Sequence, residues 1–157
     1  MRALTLLEPW ATLIAMGLKT VETRGRPVGL EVGEEFLVHA GARRIDPTLF
    51  RDVVRWAGRE TIEPHFSRIV AFATVASIEE SDGGMAYGWT SELHGEERNE
   101  ARRREMRLGD FREGRTLYVL ANVRALGRPI YARGSQGPWT VPREIEDQLR
   151  GAARSRR

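Results

Sequence analysis

The sequence predicts an α+β fold, a small β-barrel decorated by helices. Three observations predict it. Short apolar, β-branched-rich runs recur at residues 3–7, 20–24, 35–41, 68–80, 116–126 and 129–133. Gly, Pro and Asp punctuate these runs, with none of the regular strand–helix alternation that a doubly wound sheet requires. Two further segments, 8–17 and 46–60, carry helix-start signals and apolar residues in helical spacing.

Each element follows in order. ALTLL at 3–7 reads as a first strand, and EPWATLIAMG then opens a helix with Pro9 in its first turn. Trp10, Leu13 and Ile14 share one face of that helix, and Gly17 can close it. KTVETR is extended, so Thr20, Glu22 and Arg24 lie on one face while Val21 and Thr23 take the other. EFLVHAG, 35–41, is a short apolar strand. DPTLFRDVVRWAGRE, 46–60, is an amphipathic helix with Asp46 as N-cap and Pro47 at its first position. Its Leu49, Phe50, Val53, Val54 and Trp56 are expected to supply core contacts. RIVAFATVASIEE, 68–80, is a long strand, buried at its start and exposed at its end.

Residues 81–115 are polar and highly charged, with a helix expected around 92–107. An interruption of this length in a compact domain points to function or mobility. A protein-interaction arm is a third role that such a segment can serve. Strands resume at TLYVLANVRAL, 116–126, and PIYAR, 129–133. The loop GSQGPWTVP follows, and REIEDQL forms a final helical turn. A single domain is expected over 1–149, with a disordered basic tail at 150–157.

Composition narrows the chemistry. The 157 residues are enough for one domain with its own core. There is no cysteine, which excludes disulfides and thiolate metal sites. His39, His65 and His94 show no ligand spacing, so no metal or cofactor is expected. The first residues lack a signal-peptide run, and no stretch approaches the roughly 18 apolar residues of a membrane span. A soluble, cytoplasmic protein without membrane contact is the expectation. Net charge is +3, with a balance of −2 over residues 1–90 (10 basic, 12 acidic) and +5 over 91–157 (15 basic, 10 acidic). With a pI near 9.9 this points to a polyanionic partner. The run Glu96–Arg107 reads as a solvated helix face.

Of 25 basic residues only Lys19 is lysine. It stands three residues before Glu22 and five before Arg24. Lysine is a compact point charge whose pKa falls when it is buried or crowded, whereas arginine stays charged. A phosphate contact, an ion-pair partner and a catalytic amine all fit those residues.

The stretch LTLLEPWATLIAMGLKTVETR resembles the opening of ASCH domains: a strand, a Pro-Trp pair, an apolar helix and the pattern G-x-K-x-x-E-x-R, here Gly17, Lys19, Glu22 and Arg24. GDFREGRTLYVLANVRALGRPIYARGSQGPWTVP is similar to the later ASCH segment. There a Gly-Asp-aromatic turn leads into strands and a G-x-x-G-x-W loop, here Gly134, Gly137 and Trp139. The resemblance covers most of the chain outside about 81–108. It implies a PUA-like pseudo-barrel carrying two to four helices, and it implies binding of RNA or other nucleic acid in a cleft between the two motifs. Lys19 would stand at the mouth of that cleft, with Glu22 and Arg24 on its wall.

The expected ligand is therefore RNA, single-stranded DNA or a nucleotide-like molecule. Lys19, Arg24 and Arg133 would contact phosphates. Thr20 would donate a hydrogen bond at the mouth or satisfy local backbone. Glu22 would accept from a base edge or orient Lys19 or Arg24. Trp139 would stack on a base or anchor its loop. Gly134 and Gly137 would admit a ligand close to the backbone or simply permit positive φ. Binding is favoured over catalysis. The enzymatic alternative is a hydrolase of RNA or of acetylated cytidine, with Lys19 and Glu22 as the catalytic pair. Small amidohydrolases of this superfamily use the motif lysine, a nearby threonine and a glutamate on a later strand. This chain has Glu22 where they have threonine, and its strand 68–80 offers Glu79 and Glu80 only at the end. Oligomeric state is not legible.

Overall fold

A computed structural model describes residues 1–83 and 95–154, the last four of these by backbone alone. Residues 84–94, which include His94 and part of the expected interruption, and the final three residues lie outside it. Six strands and four helices are described. They run β1 (Arg2–Leu6), α1 (Trp10–Ala15), β2 (Val21–Arg24), β3 (Glu35–Ala40), α2 (Pro47–Trp56) and β4 (Arg68–Glu80). Then come α3 (Gly95–Leu108), β5 (Thr116–Tyr131), β6 (Pro138–Thr140) and α4 (Arg143–Arg154). The strands form one sheet in the order β2-β5-β4-β3-β1-β6. All neighbours are antiparallel except β1 and β3. No described helix is long and apolar enough to cross a membrane.

The sheet curls into a half-barrel because its two longest strands are bent. The β4–β5 register breaks at three places, between Ile69 and Ala71, Phe72 and Thr74, and Val75 and Ser77. Each bulge adds local twist. Asn122 takes φ +50° at one of them, a conformation that asparagine tolerates better than most residues. The curl brings β2 close to β1 although the two are far apart in strand order. The Arg24 guanidinium reaches across and donates to the Thr5 carbonyl at 3.2 Å. α1 plugs the concave side. Its Ala11 and Ile14 pack with Leu4, Leu6, Phe36, Val38, Val70 and Tyr118. Gly17, at φ +71°, ends α1 one residue past the cap, so the chain turns directly into Lys19 and β2.

Four local expectations are corrected. β5 is one strand where two runs were read, although its register jumps between Ala125 and Ile130, where the sequence places Gly127 and Pro129. On α2 only Val53 and Val54 are buried, and Leu49 and Trp56 are each 41% exposed. That helix packs on Leu13 of α1 and Leu108 of α3 through Val53 and Ala57, a narrower contact than a sheet face provides. The expected last helical turn is a twelve-residue helix reaching Arg154, through the first part of the expected disordered tail. Its Ile145 and Leu149, four apart, bury against Leu37 and Ile69. Trp139 lies on a short strand, not in a loop, and pairs with Ala3 of β1.

Candidate nucleic-acid interface

Two adjoining hollows open where β1 and β2 approach without pairing. The smaller, of about 440 Å³, is lined by Trp10, Lys19, Glu22, Arg24, Asp110 and Arg115, among others. The larger, of about 1360 Å³, is lined by Arg24, Arg26, Arg43, Tyr131, Arg133 and the Gly134–Pro138 turn, among others. Thr5, Leu7 and Arg24 border both.

Lys19 is the floor of the smaller hollow and not its mouth, since only 1% of it is exposed. Its ammonium donates to the Val21 carbonyl and lies 3.4 Å from the Glu105 carboxylate. Glu105, 2% exposed, accepts three further hydrogen bonds. They come from the Thr20 amide at 2.8 Å, the Thr20 hydroxyl at 3.1 Å and the Val21 amide at 3.1 Å. One carboxylate from α3 thus pins the entry of β2 at both backbone and side chain. The solvated face read over Glu96–Arg107 therefore fails at Glu105. Desolvating that charge is compensated by one cation and three donors. A sequence signal exists, because Ala101, Glu105 and Leu108 fall at i, i+4 and i+7, on one face of the helix.

Glu22 is buried beside Lys19 and forms an ion pair with Arg24 at 3.0 Å. Both line the smaller hollow. Asp110 joins them from the turn after α3. Its carboxyl is held down to about 2, first by the Arg112 hydrogen bonds and then by the charges of Arg115 and Arg112. Trp10 closes one side, with its indole N–H donating to the Leu108 carbonyl at 2.7 Å. Thr20 lines neither hollow, because its hydroxyl is taken by Glu105.

Arg133, Gly134 and Gly137 reach the larger hollow, as expected of a cleft between the two motifs. Trp139 does not. Its indole N–H donates to the Thr5 hydroxyl at 3.0 Å, and its ring meets the His39 ring edge-on at 5.5 Å between centroids. Trp139 therefore anchors the loop, the structural one of its two anticipated roles.

The relay continues into the core. His39 Nε2 lies 2.9 Å from the Ala132 carbonyl, which can only accept, so Nε2 carries the proton. Nδ1, 3.1 Å from the Thr5 hydroxyl, is then the acceptor. Burial lowers the His39 pKa, and the Ala132 bond opposes that shift. Gly134 lies directly over this pair. A Cβ there would meet His39 Cε1 at 2.4 Å and Thr5 Oγ1 at 2.8 Å, so no larger residue fits. Packing against His39 and Thr5, neither of the two anticipated reasons, thus explains Gly134. Positive φ, +65°, explains Gly137.

Sequence reasoning missed Arg26, Arg43 and Tyr131 of the larger hollow, as well as Glu105. Arg26 and Arg43 sit in loops whose convergence depends on the curl of the sheet. Among the described residues, none that lines the larger hollow is a carboxylate. Among the described residues, no acidic group lies within ion-pair distance of Arg26, Arg43 or Arg133. Also among the described residues, no three His, Asp or Glu side chains gather as metal ligands.

No family model matches the sequence, and no curated protein does. Solved structures do match. The crystal structure of ASCH from Zymomonas mobilis aligns with a TM-score of 0.55 and 18% identity, covering 96% of this chain and 93% of that one. Crystal structures of two mutants of the same protein align at TM-score 0.53. Their identities are 16% and 17%, with 96% of this chain covered in each case and 94% and 96% of theirs. At that identity the likeness shows the fold. This chain has the α+β pseudo-barrel of an ASCH domain.

Proposed function

We propose that this chain, with its ASCH-domain fold, binds single-stranded nucleic acid, RNA or DNA, across the two hollows. The observation that carries the reading is the makeup of the larger one. Among the described residues Arg24, Arg26, Arg43 and Arg133 line it without a carboxylate, and of the four only Arg24 has an acidic partner, Glu22. Three guanidiniums in one cavity, Arg26, Arg43 and Arg133, without an acidic partner favour an anionic occupant, and a phosphate backbone supplies repeated anions that forked guanidiniums grip well.

The smaller hollow then takes a base. Its volume falls in the ordinary range of small-molecule pockets, about 300–1,000 Å³. Glu22 at its floor accepts from an exocyclic amine, a contact that no phosphate would favour. Arg24, shared by both hollows and paired with Glu22, links base and backbone. In this reading Lys19 holds the floor in register through Glu105 and Val21, and phosphate contact falls to the arginines.

Anisotropy titrations of labelled single-stranded RNA and DNA test this. Both should bind at low salt, with log K falling linearly against log salt. Replacing Arg43 and Arg133 together by Gln should weaken binding to all sequences alike. It should also flatten the slope by about 0.7 for each phosphate no longer neutralised. Failure to bind any polyanion at low salt would sink the reading. A second reading, hydrolysis of RNA or acetylated cytidine, draws on the Lys19, Thr20 and Glu105 side chains lying together. Following product in the same samples separates the two. A catalytic amine would be abolished by Lys19→Arg while binding persisted.

A further inference from the structure

We infer that Tyr131 is the platform on which an unpaired base stacks, and that this ring makes the larger hollow prefer single strands to duplex. The inference rests on the nucleic-acid reading above and adds to it a residue and a selectivity.

Tyr131 is 68% exposed, the most exposed large apolar side chain among the described residues. The other described aromatics near the hollows are committed elsewhere. Tyr118 is buried, with its hydroxyl accepting from the Val28 amide at 2.8 Å. Trp10 and Trp139 each spend their indole N–H inside the protein. Among the described residues, Tyr131 alone offers an open ring on the wall of the larger hollow, beside Arg43 and Arg133.

The backbone under it is rigid. Tyr131 ends β5, paired with Arg68 of β4. The next residue, Ala132, is fixed at both polar groups. Its amide donates to the Ser67 carbonyl at 3.0 Å, and its carbonyl accepts from His39 Nε2 at 2.9 Å. Ala132 is buried, so the alternation of an extended chain turns Tyr131 and Arg133 outward together. A ring and a guanidinium two residues apart on a clamped backbone suit one nucleotide: the ring takes the base and the fork takes its phosphate. In duplex the base faces are already stacked on one another, and the ring gains nothing.

The test compares wild type, Tyr131→Ala, Tyr131→Phe and the paired Arg43→Gln, Arg133→Gln variant. Oligouridine, oligothymidine and a duplex of equal length serve as probes at fixed low salt. Tyr131→Ala should weaken both single strands about tenfold, within the range of one lost base–aromatic stack. It should leave duplex affinity and the salt slope unchanged, and Tyr131→Phe should bind as wild type does. Loss on one single strand only would assign the preference to RNA or to DNA and keep the platform. Unchanged single-strand affinity in Tyr131→Ala, with the arginine variant weakened, would overturn the inference and leave the reading standing. Equal loss on duplex would overturn the selectivity. If wild type bound neither single strand nor duplex, the reading would fail and the inference with it. Thermal melts of the variants confirm folding, since the side chain removed is exposed.

Discussion

Replacing Glu105 by Ala removes the one carboxylate that holds the entry of β2. Four partners are released at once: the Lys19 ammonium, the Thr20 amide, the Thr20 hydroxyl and the Val21 amide. The ammonium keeps only the Val21 carbonyl as acceptor. Breaking a buried ion pair by removing one partner costs about 3–5 kcal/mol. Each orphaned buried donor adds about 1–3 kcal/mol unless water enters. The sum approaches the whole stability of an ordinary domain, about 5–15 kcal/mol. Urea unfolding followed by circular dichroism is the assay. Glu105→Ala should lose at least about 4 kcal/mol or fail to fold, the pair-breaking figure alone reaching that scale. Glu105→Gln keeps one oxygen acceptor but strips Lys19 of its counter-charge all the same, so it should lose about 3–5 kcal/mol, less than Glu105→Ala. The decisive comparison is Lys19→Met in each background. In wild type it strands a buried carboxylate, and in Glu105→Gln it removes a cation that has already lost its counter-charge. Coupling of at least about 1 kcal/mol is expected, as for residues in one network. Additive single effects, or Glu105→Ala within experimental error of wild type, would refute the pinning role.

Two further predictions concern the relay beneath the loop. Trp139→Phe removes the donor to the Thr5 hydroxyl and should cost about 1 kcal/mol in denaturant unfolding, while nucleic-acid affinity stays unchanged; a tenfold loss of affinity would instead mark Trp139 as the stacking residue. His39 has a folded pKa lowered by burial from its ordinary value of 6.5, so the unfolded chain takes up a proton before the folded one does. Its contribution to stability is complete above about pH 6.5 and is lost as pH falls toward the lowered folded pKa, at up to about 1.4 kcal/mol per pH unit. Stability measured between about pH 7.5 and 5 should therefore fall more steeply in wild type than in His39→Gln, and parallel curves would contradict the assignment.

The legible parts of the fold were those written in local signals. Asp46 before Pro47 marks the start of α2, and its carboxylate accepts from the Thr48 and Leu49 amides. Gly17 marks the end of α1, and the alternation in 20–24 places Glu22 and Arg24 together. The approach of the two motifs was legible only through the resemblance, and Arg24 of the first borders the hollow that holds Arg133 and Gly134 of the second. What escaped depends on tertiary context. The continuity of β5 was hidden because Gly127 and Pro129 carry turn chemistry. Past Val119 the strand has no β2 partner, and Pro129 falls in the register jump against β4 between Ala125 and Ile130, so its missing amide leaves no gap in a ladder. Lys19 was placed at the mouth of the cleft through the resemblance. Its burial needs Glu105, 86 residues away in sequence, and no local pattern links them. Trp139 was weighed as a stacking residue because its loop faces the cleft. The indole turns inward because Thr5 and His39 offer it a polar seat.

The most direct measurement is a side-chain NMR titration of the wild-type protein with a short single-stranded oligonucleotide at low salt, following the arginine Nε–H and tyrosine ring resonances. Binding across the two hollows should shift Arg24, Arg26, Arg43, Arg133 and Tyr131 together, and addition of salt should reverse the shifts. Perturbations confined to the outer faces of α2 or α4, with those five residues unmoved, would contradict it.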